Sequence, residues 1–314
     1  MHPALSVIFF TSASGAGYGL LIVIAFMAAF RLVPIEPVFG AVGLGFAFIL
    51  VSTGLFSSTF HLGHPERAWR ALSQWRTSWL SREGVLSIIT FGPWTALTYV
   101  WFAHGKITIF GCVIALICVL FSILTIYSTA MIYRSLKTVH QWNNNWTIPV
   151  YLLLGLMNGV VFGAGVQAVT IGVTDLYILM SIFFVLISGL LKRQYWVFVD
   201  NSCHTVTASS ATGFTQGQVR LLEGPHTEEN YLLSEMGYKI ARKHKIKIRK
   251  LAVLFGFFIP SVMLVIGLFS FGLLQISSIL VASVSAFLGV FFSRWLFFAE
   301  ARHVVTLYYG AEKA

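Results

Sequence analysis

His61 and Glu83 are the side chains best placed to move a proton at a membrane edge. His61 closes a hydrophobic run, Phe39 to Phe60, and opens the polar stretch His61-Leu62-Gly63-His64-Pro65-Glu66-Arg67-Ala68-Trp69-Arg70. That stretch ends at Ser81-Arg82-Glu83, where the next apolar run begins at Gly84. An imidazole titrates near neutral pH and can hydrogen-bond a carbonyl oxygen while passing it a proton. A carboxylate beside it can link that proton to water, and arginines can stabilise a developing oxyanion. The group His61, Arg67, Arg70 and Glu83 therefore suits a quinone, a lipid-soluble carrier of two electrons and two protons. Each residue also has a plainer reading. An interfacial histidine commonly makes only structural hydrogen bonds. Ser81 could cap a helix, with Glu83 in its first turn and Arg82 as counter-charge.

These residues need a membrane frame, and the composition supplies one. The chain has 314 residues, 57% hydrophobic and only 10% charged, with a mean hydropathy of +0.81. That leaves too little polar surface for a soluble globule. Eight apolar runs approach the length needed to cross a bilayer, at about 6–30, 39–60, 84–103, 107–131, 148–171, 174–191, 251–273 and 276–298. Each must be helical, because unpaired backbone cannot face lipid. The expected fold is an all-α polytopic membrane protein. The first run lacks a basic n-region and is long for a signal peptide, so it counts as the first span.

Eight spans put both termini on one face, together with the loops after helices 2, 4 and 6. Of the 21 basic residues, all but Arg31 and Lys106 fall on that face. The positive-inside rule makes it cytoplasmic, in the inner membrane of a bacterium. The basic charge is thereby explained by topology and gives no reason to expect nucleic-acid binding.

The helices divide most simply into two four-helix bundles, 1–131 and 132–314. Small residues mark the first helix of each: Ser12 to Gly19, then Gly155, Gly159 and Gly163 at four-residue spacing. Such stripes let helix backbones approach closely. The 62–83 segment reads as an interfacial element. Pro65 suits a first helical position, Glu66 suits the first turn, and Ala68, Trp69, Leu72 and Trp75 form an apolar face. The loop 192–250 is the one substantial soluble part. In it Leu232, Leu233 and Met236 make an apolar helical stripe, suited to a soluble partner or to the surface of anionic lipids.

Other chemistries find little support. Haem b in a bundle needs paired histidines inside helices, and none of the nine histidines lies deep in an apolar run. Cys112, Cys118 and Cys203 lack cluster or zinc spacing, so neither metal nor iron–sulfur ligands are expected. A secondary transporter would carry charges or helix breaks near the midplane, and remains a remote alternative. If the chain handles a quinone, its electrons must come from a subunit docked on the same face.

The segment Phe60-His61-Leu62-Gly63-His64-Pro65-Glu66-Arg67-Ala68 resembles the His-Leu-Gly-x-Pro-x-Arg-Ala pattern of the DmsC family of membrane anchors. Ser81-Arg82-Glu83 is similar to that family's Ser-x-Glu, and Arg294-Trp295-Leu296-Phe297-Phe298 to its Arg-x-x-Phe-aromatic segment. The resemblance implies an eight-helix anchor without haem, cluster or molybdenum of its own. It implies quinone bound beside an iron–sulfur subunit that in turn meets a molybdopterin catalytic subunit. It maps the proton-handling pair onto His61 and Glu83 and adds Arg294 to the candidate quinone site. The cytoplasmic charge bias and the long basic loop are similar to the sulfite-oxidising, cytoplasm-facing branch. Electrons would then run from sulfite to quinone, with ubiquinone favoured over menaquinone. The alternative is a quinol-oxidising anchor of a dimethyl sulfoxide reductase.

Overall fold

A computed structural model describes residues 4–105, 107–202, 206–214, 219–220, 222–223 and 244–309, with only the backbone of His61 and His104. Among these residues the regular structure is helical. In chain order the helices are α1 (Leu5–Ala29), α2 (Pro37–Ser57), α3 (Trp79–His104), α4 (Ile109–Arg134), α5 (Thr147–Thr170) and α6 (Asp175–Asn201). Then come a short α7 (Ala208–Thr212), α8 (Lys245–Val253), α9 (Ile259–Leu268) and α10 (Leu273–Ala299). A π-turn, Leu254–Phe258, joins α8 to α9 as one span just before Pro260, whose missing N–H would otherwise leave a gap in the helical ladder. Among the described residues eight helical spans, α8–α9 counting as one, are long and apolar enough to cross a membrane, as the hydropathy implies. Side chains at their ends stop the fraying: Ser78, Thr108 and Thr174 accept N–H bonds from Ser81, Gly111 and Tyr177.

Two helices form the centre. The most apolar windows of α1 and α5 are 83% and 78% buried, against 28–50% for the other spans. Their crossing is a backbone contact, because a Cβ at Gly19 would meet the Gly155 carbonyl and one at Gly159 would meet Gly19. The stripes of small residues thus work as expected, and they join the first helices of the two sequence halves. A second such contact sets Gly289 of α10 on Gly256 of the π-turn. Around this centre α2 packs on α1, α3 on α4, and α6 and α10 on α5.

The seventh span ends at Leu268 rather than 273, and three spans extend beyond their sequence-based limits at one end. α3 begins at Trp79 rather than Gly84, α6 runs to Asn201 rather than 191, and the α8–α9 span starts at Lys245 rather than 251. The reason is the same each time: polar side chains that look like loop on hydropathy find partners in the helix. Asp200 of α6 bonds Lys245 and Arg249 of α8. The 192–250 loop is therefore shorter than its hydropathy suggests. Leu232, Leu233 and Met236 lie outside the described residues.

Candidate functional site

A four-residue 3-10 turn, Ser58–His61, ends α2 and rests on α1 and α2. The expected interfacial helix follows as a 3-10 helix, Pro65–Leu72, lying across the start of α3. Its anchor is Leu72, against which any side chain at Gly84 would collide at 2.8 Å. Trp69 and Trp75 are exposed, as headgroup-level aromatics would be. Of His61 only the backbone is described, so its side chain enters no distance given below.

Arg67 and Arg70 stay on this exposed helix and do not join Glu83. Arg67 faces Glu66, which His64 Nδ1 also meets at 3.0 Å, and Arg70 lies over Trp69. Arg82 likewise turns away from Glu83. It donates to the carbonyls of Trp75 at 3.0 Å and Arg76 at 2.6 Å and covers the Trp79 ring. The cap of α3 is Ser78, not Ser81, whose hydroxyl bonds the Ala71 carbonyl instead. Glu83 therefore lies one turn inside the helix, away from the first-turn dipole position.

Glu83 points into the bundle and is only 4% exposed. Thr129 of α4 donates its hydroxyl to Glu83 Oε1. A hydroxyl ladder continues beneath, since Thr129 also bonds the Thr125 carbonyl and Thr125 meets Thr90 at 3.3 Å. Tyr18 of α1, Tyr133 of α4 and Tyr151 of α5 lie within electrostatic range of the carboxylate. The carboxyl is thus an interior group, bonded to α4.

Arg294 is the other sequence candidate that the fold brings here. It is 2% exposed, with its guanidinium 3.3 Å above the centre of the Tyr151 ring. Tyr133 packs on Tyr151 at 5.6 Å, and both phenols lie within electrostatic range of Arg294 and Glu83. Phe297, Phe298 and Trp142 close the cage. Among the described residues Arg294 has no carboxylate ion pair, and its Nε makes no hydrogen bond. A cation buried in a membrane helix without a counter-ion is costly and points to function. Lys192, which hydropathy assigns to a loop, is 1% exposed on α6 and covers the Tyr195 ring at 4.3 Å.

α2 and α3 touch through Phe39–Trp101, Phe48–Phe91 and Phe48–Trp94, from the end remote from Glu83 to mid-helix. Nearer Glu83, no ring contact or side-chain hydrogen bond joins them among the described residues. A crevice of about 380 Å³, lined mainly by Leu44, Gly45, Phe48, Phe91, Trp94 and Phe102, opens between the two helices. The cluster itself offers an enclosed carboxyl and buried positive charge. That set can hydrogen-bond and protonate a polar head while its hydrocarbon part stays in the lipid phase.

Comparison with known proteins now bears on the same helices. The model of the dimethyl sulfoxide reductase anchor subunit family, DmsC, matches residues 1–310. The chain belongs to the DmsC family. As an anchor of this family it is a multi-pass membrane protein of an oxidoreductase complex built from several subunits. Among its relatives is a sulfite dehydrogenase subunit from Allochromatium vinosum. The two are 32% identical over 98% of this chain and 99% of that protein. The anaerobic dimethyl sulfoxide reductase chain YnfH of Escherichia coli is 25% identical over 48% of this chain and 54% of its own length. Thr129, Tyr133, Tyr151 and Lys192 were not among the sequence-derived candidates for the site in this DmsC-family chain. A signal for Lys192 exists: Ser181, Val185, Ser188, Lys192 and Tyr195 recur at four- and three-residue steps, and all five are buried.

Proposed function

We propose that this DmsC-family chain is the quinone-reactive anchor of a cytoplasm-facing sulfite dehydrogenase of the bacterial inner membrane. Electrons from sulfite pass from a molybdopterin subunit through an iron–sulfur subunit to quinone, ubiquinone in preference to menaquinone, held beside His61 and Glu83. The observation that carries this reading is end-to-end similarity to a sulfite dehydrogenase subunit. The placement of Glu83 and Arg294 in one enclosed cluster supports the quinone part. Arg67 and Arg70 then serve the entrance or the partner rather than the reacting oxygen. The basic 192–250 segment, with Leu232, Leu233 and Met236, and the 65–80 segment form the docking face.

The test is sulfite-driven reduction of a water-soluble quinone by the purified complex of anchor, iron–sulfur and molybdopterin subunits. His61→Ala is expected to assemble, to lose about 100-fold or more in quinone turnover, and to keep electron delivery to an artificial acceptor that meets the soluble subunits directly. Wild-type turnover in that variant makes the histidine structural. The second reading, quinol oxidation by a terminal reductase, is favoured by the shorter match to YnfH. Quinol-driven reduction of dimethyl sulfoxide, without sulfite activity, would select it.

A further inference from the structure

Glu83 can exchange a proton with a quinone only if it also exchanges one with water. Its own surroundings do not provide that exchange directly: it is buried and bonded to α4, and the exposed arginines of the interfacial helix face elsewhere. The interior on its far side is different. From Glu83 a row of polar and cationic groups crosses the bundle to the surface.

The row runs through Tyr133 and Tyr151 to Arg294, and then to Lys192, which lies within electrostatic range of Arg294, Glu300 and Arg249. Arg249 binds Glu300 at 3.0 Å and reaches the half-exposed Asp200, which Lys245 also holds at 2.6 Å. Both nearby carboxylates are thus engaged by Arg249, and Lys192 has no ion pair among the described residues. Its ammonium is covered instead by Tyr195 and by Trp196 at 5.1 Å. A lysine kept only for packing could be replaced by methionine at a gain, since burying an uncompensated charge is costly. Unlike arginine, lysine can release its proton and take it back. The Ser293 hydroxyl and Arg294 Nε are buried without a protein hydrogen-bond partner, and such groups are ordinarily bridged by internal water.

We propose that Lys192 is the proton carrier that joins Glu83, through the Tyr151–Arg294 region, to water at Glu300 and Asp200. The inference rests on the quinone reading given above. Each quinone reduced takes two electrons from the iron–sulfur partner and two protons. For a proton that travels this way, Glu83 loses its O–H bond as a quinone oxygen gains one. Lys192 then loses an N–H proton as Glu83 is restored, with water and the Tyr151 hydroxyl between them. Surface water returns the ammonium. One proton enters for each one delivered, so no charge is left inside, and quinol oxidation runs the same route backwards. Arg294 and Arg249 stay charged throughout and position the row.

The test uses the intact complex with Lys192→Met, Lys192→Arg and Lys192→His. The Met and Arg variants are expected to lose about 100-fold in the rate of quinone reduction. Their KM for quinone and their reduction of an artificial acceptor should stay at wild-type values. The His variant should recover most of the rate, with a pH profile that follows an imidazole. An Arg variant at the wild-type rate shows that fixed charge suffices and overturns the proposal, as does a Met variant at the wild-type rate across the neutral range. Should the Met variant fail to assemble, the Arg and His pair decides. A wild-type complex that reduces no quinone overturns the parent reading, whereas the variant series overturns the carrier alone.

Discussion

Arg67 and Arg294 are the same side chain in opposite settings, and the regions around them differ in the same way. The 62–78 segment is exposed, and its charges pair with neighbours a few residues away, as Arg67 and His64 do with Glu66. The Glu83–Arg294–Lys192 region is buried, and its members come from α3, α10 and α6. Exposed pairs are screened and contribute little. Buried polar groups in lipid interact strongly and are expensive to keep. Richness in charge and enclosure therefore mark different regions, and the proposed chemistry belongs to the enclosed one.

The sharpest way to break this contrast is Glu83→Gln, which keeps the shape and the Thr129 hydroxyl contact but removes the transferable proton. Quinone turnover should fall about 100- to 10,000-fold, with assembly intact by gel filtration. An unaffected rate would return Glu83 to a structural role. Arg294→Met comes next. Turnover should drop about 100-fold, yet the thermal midpoint of the solubilised complex should stay the same or rise, because an unpaired buried cation is removed. A collapse in stability with normal turnover would make Arg294 a packing element. Thr129→Val, which takes the hydroxyl from the carboxylate, should cost about tenfold in turnover, as a hydrogen bond to a charged group is worth roughly 1.5–3 kcal/mol. The smallest effect belongs to the outer region. Arg67→Ala and Arg70→Ala together should change quinone turnover by less than about threefold at moderate salt, measured on complex that retains its soluble subunits. A loss as large as that of Arg294→Met would place the reacting oxygen among the exposed arginines and reverse the comparison.

Much of the architecture was readable from one-dimensional pattern. Eight apolar runs gave eight spans, and the glycines at four-residue spacing on α5 marked the crossing with α1. The ends of α3 and α6 were not readable in the same way. Hydropathy treats Ser81, Glu83 and Lys192 as loop-like because it scores each residue against water or lipid. In the fold Ser81 finds the Ala71 carbonyl, Glu83 finds Thr129, and Lys192 finds two aromatic rings. The helical recurrence of Ser181, Val185, Ser188, Lys192 and Tyr195 did hold the signal that α6 continues.

By itself the sequence determined the helical, membrane-spanning class, since apolar runs of this length leave the backbone no other way to satisfy its hydrogen bonds. It also singled out Glu83, through its type and its place at the edge of an apolar run, whereas Arg294 entered through the family resemblance. Only the tertiary structure decided that these two share a cluster with Thr129, Tyr151 and Lys192 while Arg67 and Arg70 remain outside. The physical reason is that burial and partnership depend on which helix faces meet. Here that is fixed by backbone contact at Gly19, Gly155 and Gly159 and by the pairing of α3 with α4. Residues 46 positions apart, such as Glu83 and Thr129, become partners through packing that no local pattern encodes.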